Sequence, residues 1–123
     1  MSLGEEFVAA LAAKDSSRML GLLHAEVEFR GLTPRNTWEA GDAQGVVGIV
    51  LGRWFEQTDE IREIERVDTD AFADRERVGY RLRVRNPDGE FVVEQQAYLG
   101  ERDGRIGWMR VLCSGFRPIE EGE

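Results

Sequence analysis

Between Arg75 and Cys113 the chain carries three β-rich runs separated by two glycine-bearing turns. The first runs from Arg75 to Arg85 and leads through Asn86-Pro-Asp-Gly89 into a second, Glu90 to Leu99. A turn ending in Asp103-Gly104 leads to the third, Arg105 to Cys113. Such spacing predicts a meander of antiparallel strands, and everything before residue 75 must then cover one face of that sheet. In the first strand Val78, Tyr80, Leu82 and Val84 share one face, and Arg77, Arg81, Arg83 and Arg85 the other. With Asn86 to Gly89 as a four-residue loop, Arg85 faces Glu90 and Arg81 faces Glu94, and the opposite charges support that register. The same register sets Phe91, Val93, Gln95, Ala97 and Leu99 on the apolar face, with Gln95 almost opposite Tyr80.

The last strand is apolar on both sides. Ile106, Trp108 and Leu112 form one side; Met109, Val111 and Cys113 form the other. An antiparallel strand with one wet face should alternate, so the outer side is expected to meet a second subunit. This predicts a homodimer built on Ile106, Trp108 and Leu112.

Ahead of the meander, Glu5 to Ala13 are helix formers with an apolar stripe at Phe7, Val8, Leu11 and Ala12. Asp15 or Ser16 can cap a second helix, which carries Met19, Leu20, Leu22 and Leu23 and ends near His24. Glu26 to Leu32 alternates as a strand, and Gly31 to Gly41 reads as a loop holding Trp38. A third helix is expected from about Asp42 to Gln57, with its regularity challenged by Gly45, Gly48 and Gly52. Ile61 to Thr69 is a further strand candidate.

The chain's 123 residues suit one domain spanning residues 1–123 with a single core. A net charge of −8 argues against a nucleic-acid partner. No apolar run approaches the ~18 residues of a membrane span, and no signal-peptide pattern opens the chain. Cys113 is the sole cysteine, so no internal disulfide and no thiolate cage can form; a cytoplasmic protein without metal or cofactor is the expectation.

Phe7 to Asp15, Leu22 to Phe29, and Asp103-Gly-Arg-Ile106 entering the last strand together resemble the nuclear transport factor 2-like superfamily. Its members include ketosteroid isomerase, limonene epoxide hydrolase, scytalone dehydratase and SnoaL-like polyketide cyclases. The ending Leu112 to Pro118 is similar to that of a bacterial branch. The resemblance covers nearly the whole chain and implies an α+β cone: three N-terminal helices packed on a curved mixed or antiparallel sheet, in a cystatin-like roll. It marks activity poorly, because one such cone hosts many functions. Aligned to the isomerase, its tyrosine falls on Phe7, its aspartate base on Phe29, and its late aspartate at or beside Gln95 and Gln96. The isomerase's ionisable groups are therefore missing, and no hydrolase or dehydratase set aligns either.

Within the cone that the resemblance implies, the strand register sets Tyr80, Leu82, Val93, Gln95, Met109, Val111 and Cys113 inward around a pocket, with Phe29 and Trp54 as candidates for its opposite wall. Within it Gln95 is a polar amide on an apolar face, satisfied by Tyr80 or the backbone, or else directed with Tyr80 at a ligand. Cys113 can be a buried small hydrophobe or a nucleophile, and His24 a helix cap or a base. Glu94 pairs with Arg81 as a ladder residue. Trp38 and Trp54 can be packing or a stacking platform. The expected function is binding of a small, mostly apolar molecule. The alternatives are an interaction module with a filled cone, or an isomerase, hydrolase or cyclase whose acid-base set is not identifiable. A cavity of about 300 Å³ or more lined by Tyr80 and Gln95 would favour binding or catalysis.

Overall fold

In a computed structural model describing residues 1–119, the chain opens with two helices, α1 (Leu3–Ala12) and α2 (Ser16–Leu22). Ser2 starts α1 with a reciprocal cap. Its Oγ accepts from the Glu5 amide at 3.1 Å, and its own amide donates to Glu5 Oε1 at 3.0 Å. Asp15 caps α2 by accepting from the Arg18 amide. Both helices present apolar residues to one core, where Phe7, Val8, Leu11 and Met19 are fully buried.

The remainder is mostly sheet. Strands β1 (Leu23–Leu32), β2 (Thr37–Ala40), β3 (Glu60–Phe72), β4 (Arg75–Asn86), β5 (Gly89–Arg102) and β6 (Arg105–Cys113) lie in the order β2-β1-β6-β5-β4-β3. A short β7 (Arg117–Pro118) pairs with β5. All pairings are antiparallel except β1 with β6, so the sheet is mixed. Extra residues interrupt the β3–β4, β5–β6 and β1–β6 ladders, and such bulges add the twist a curled sheet requires. The sheet does not close, and the helices fill its inner side: an α+β cone. No helix among the described residues is long and apolar enough to cross a membrane.

The meander register is the expected one. Arg85 faces Glu90, Arg81 faces Glu94, and Tyr80 faces Gln95. Asn86 itself pairs with Gly89, so the turn is the two residues Pro87-Asp88 rather than four. Asp103 and Gly104 both take positive φ, 54° and 78°, as a tight hairpin of matching twist demands.

Four expectations need correction. First, β1 starts at Leu23, not Glu26, so His24 lies in a strand and caps no helix. Its Nδ1 accepts from the Glu26 amide and its Nε2 sits 3.4 Å from Asp103 on the surface. Second, the expected loop from Gly31 to Gly41 contains β2, whose Trp38 pairs with Gly31. Third, the third helix is short. It begins under an Asp42 cap as α3 (Ala43–Gly48) and widens into a π-helical segment, Ile49–Trp54. Fourth, Ile106 is fully buried and does not belong to the outer face. Glu101 pairs with Ile106 while Gly100 pairs with Trp108, leaving Gly107 as the extra residue of a bulge. That one residue turns Ile106 inward with Met109 and Val111, and leaves Trp108 and Leu112 outside.

Candidate functional site

At the end of the cone where β6 finishes, the core is not completely filled. A cleft of about 200 Å³ lies among Trp38, Trp54, Gln95, Cys113 and Phe116, with Arg53 at its rim. Its walls follow from local structure. The π-helical widening carries Trp54 over β1, where Gly31 leaves the space; a Cβ there would meet the indole at 2.6 Å. The Trp54 ring packs beside Phe29 and against the edge of Trp38. Past Cys113 the chain turns at Gly115, with φ 79°, and returns Phe116 against Phe55 and Phe91.

Polar groups are few here, and their bonding is unequal. Tyr80 and Gln95 are only 2% and 3% exposed, and the Tyr80 hydroxyl donates to Gln95 Oε1 at 2.5 Å. Burial, with a secondary contribution from the Cys113 thiol, raises the phenol far above its ordinary value, so it stays protonated and remains a donor. Gln95 is thus held with its carbonyl committed to Tyr80. Its other half, the Nε2 amide, is buried and has no partner. Trp54, 8% exposed, likewise has an unpartnered buried Nε1. A buried donor left bare costs about 1–3 kcal/mol, so two such donors beside one cleft demand an explanation. By contrast, the Trp38 indole donates to Thr33 Oγ1 at 2.9 Å, and the Cys113 sulfur accepts from the Gly115 amide. Arg83 Nε also lacks a well-angled bond, but it lies 3.2 Å from the Glu65 carboxylate and so has its charge partner.

Of the nine residues expected around the pocket, Trp54, Gln95 and Cys113 line the cleft. Tyr80 stands behind Gln95. Phe29, Leu82, Val93, Met109 and Val111 are core residues that fill the cone instead of walling a cavity. The cleft is therefore smaller than 300 Å³ and is not lined by Tyr80. Sequence reasoning missed Arg53, Phe55, Gly115 and Phe116. The only available signal was the Gly115-Phe116 step after the last strand. Larger depressions, of about 380, 400 and 560 Å³, lie along the outer face of the sheet, and the 400 Å³ one counts Tyr80, Gln95 and Cys113 in its lining, so the expected size and residues meet there rather than in the cone. Their rims are ion-paired side chains such as the half-buried Arg77 with Asp68 and the exposed Arg30 with Glu39, so size alone does not choose the site. Unpartnered donors do.

No acid-base pair lines the cleft: its titratable groups are Arg53 and Cys113. Phe7 and Phe29, at the positions matched to the isomerase's tyrosine and base, are buried hydrocarbon. Among the described residues no cluster of three His, Cys, Asp or Glu could hold a metal ion.

With this geometry, solved structures of low sequence identity superpose along nearly the whole chain. A protein from Rhodopseudomonas palustris, described provisionally as an isomerase, matches with TM-score 0.74 at 11% identity, covering 94% of this chain and 91% of its own. The chain has the nuclear transport factor 2-like fold. An NTF2-like protein from Burkholderia xenovorans matches with TM-score 0.65 at 14% identity, over 91% of this chain and 86% of its own. An LEH-like epoxide hydrolase from M. tuberculosis does so with TM-score 0.65 at 13% identity, over 91% and 80%. No protein-family model matches the sequence, and no curated protein does. These likenesses establish the nuclear transport factor 2-like fold and leave its use open, since proteins of different activities share it.

Proposed function

We propose that the chain binds a small, mostly apolar molecule in the cleft beside Gln95. The observation that supports this is the Gln95 amide: carbonyl fixed by Tyr80, N–H buried and unpartnered, at the wall of a gap in the apolar cone. At about 200 Å³ the cleft suits a molecule smaller than the drug-sized ligands that usually occupy 300–1,000 Å³ pockets. With no carboxylate or histidine lining it, binding fits the site better than proton transfer. Native mass spectrometry of the purified protein is the test. A co-purified small molecule, released on denaturation and diminished in Gln95→Leu, is expected; the same mass retained in full by that variant would place the ligand elsewhere.

A second reading is an interaction module. It is favoured by the complete burial of Leu82, Val93 and Met109, which fill most of the cone. Both readings accommodate a homodimer, which we propose forms through the outer sheet face. Leu112 is 58% exposed there, beside Trp108 and near the exposed Leu32. Sedimentation should show a dimer at micromolar concentration that Leu112→Glu converts to monomer; a monomeric wild type would contradict it.

A further inference from the structure

We infer that the cleft reads its ligand through a pair of N–H donors, Gln95 Nε2 and Trp54 Nε1, and so selects a small planar molecule bearing a carbonyl acceptor. This rests on the binding reading above. The polarity follows from the inventory of each group. An indole nitrogen donates only, and the Gln95 oxygen already accepts from Tyr80, so the unanswered group on Gln95 is its N–H donor. The amide's orientation is the one in which Tyr80 O–H donates to Gln95 Oε1. Neither donor has a partner within the protein, and both belong to residues that wall the same cleft.

An alcohol could accept from these donors, but its own proton would then need an acceptor. Each nearby side-chain acceptor already takes one bond, Gln95 Oε1 from Tyr80, Thr33 Oγ1 from Trp38 and the Cys113 sulfur from Gly115, so the alcohol's proton would have to share an acceptor, which makes an alcohol the poorer ligand. A hydrocarbon would leave both donors as they are. A carboxylate would carry its charge to the buried donors, while the one guanidinium of the cleft, Arg53, is exposed and stacks 5.1 Å over Trp38. A ketone, aldehyde or ester oxygen accepts twice and donates nothing, which matches two donors. Trp38, Phe55 and Phe116 supply the flat apolar walls for a ring attached to it.

Four probes of matched shape test this: acetophenone, 1-phenylethanol, ethylbenzene and benzoate, titrated into the full chain and followed by saturation-transfer NMR. Acetophenone should bind about tenfold more tightly than ethylbenzene, as one to two net hydrogen bonds would give, and more tightly than the alcohol or benzoate. Gln95→Leu and Trp54→Phe should each weaken acetophenone by about two- to tenfold relative to ethylbenzene in the same variant. Equal affinities for all four in the wild type would overturn the donor-pair inference while the binding reading stood. Benzoate binding best would overturn it in favour of an anion site at Arg53. Absence of binding by any probe would remove the binding reading and the inference with it. The wild-type comparison decides the matter even where a variant folds poorly.

Discussion

Strands β4 and β5 carry two polar clusters, one at Glu76 near the start of β4 and one at mid-strand where Tyr80 faces Gln95, and the two behave in opposite ways. At the start of β4 Glu76 receives α1. Its Oε2 accepts from Ser2 Oγ at 2.6 Å and its Oε1 from the Gly4 amide at 3.1 Å, with Gly4 pressed so close that a Cβ would meet the carboxylate at 2.5 Å. An anion at a helix N-terminus answers donors that have no partner within the helix. Everything there is partnered. At mid-strand Tyr80 and Gln95 bond to each other, and the chain supplies no partner for the Gln95 amide N–H. The difference teaches how to tell a structural polar group from one held for something else. The first is saturated by its own fold, whereas the second is oriented by the fold and left with a free valence.

The largest expected effect falls on the saturated cluster. Glu76→Ala removes charge-assisted bonds to Ser2 and Gly4 and should destabilise the chain by about 2–3 kcal/mol, read by chemical denaturation. Acetophenone affinity at the Tyr80–Gln95 site should not change. A loss of both together would mean that the two clusters are coupled, and the contrast would fail.

Gly31→Ala comes next. Its Cβ would lie 2.6 Å from the Trp54 ring, so the indole must shift, at a cost of about 1–3 kcal/mol. Because the shift moves the Trp54 donor, ligand affinity should fall along with the melting temperature. Unchanged affinity would show that Trp54 Nε1 takes no part.

A third prediction concerns pH. The folded-state pKa of Tyr80 is raised by burial, so the phenol contributes stability that is intact below its unfolded value of about 10 and lost as pH rises beyond it. The slope for one such proton is up to about 1.4 kcal/mol per pH unit. Tyr80→Phe should remove that alkaline loss. An identical alkaline slope in the variant would mean that Tyr80 titrates normally and does not fix the Gln95 carbonyl.

The smallest effect is expected on the outer face, where Trp108 lies between the guanidinium groups of Arg75 and Arg110 at 4.2 and 4.3 Å. Arg75→Ala should cost only about 0.5–1 kcal/mol, as exposed cation–π contacts do. A loss several times larger, measured at high dilution, would show that this face is part of the monomer's own stability.

Much of the fold was legible because alternation and charge specify it redundantly. Arg81 opposite Glu94 and Arg85 opposite Glu90 fix the β4–β5 register twice over, and slipping by one residue would put four arginines in the core. The same register placed Tyr80 beside Gln95. What alternation cannot show is a residue that breaks it. Gly107 gives no apolar or polar signal, yet its bulge carries Ile106 from the face shared with Trp108 to the core. The π-helical widening is hidden in the same way, since Val46, Val50 and Trp54 fit a regular helix equally well on paper. The unpartnered donor on Trp54 depends on that widening and on the space above Gly31, which are tertiary facts. How far the cone is filled was also out of reach. Leu82, Val93 and Met109 face inward as expected, but only their packing against helices α1 to α3 decides whether they wall a cavity or close it.

The central claim is that the polar pair in the cone is maintained for a ligand and not for stability. It is tested most directly by the double variant Tyr80→Phe/Gln95→Leu, with unfolding free energy measured by denaturant titration in the absence of any ligand. Replacing both partners by apolar groups of similar shape also removes the bare Gln95 donor, so the variant should be as stable as the wild type or more stable by up to about 1–2 kcal/mol. A loss of more than about 2 kcal/mol would contradict the account, because it would show that the pair is part of what holds the fold together.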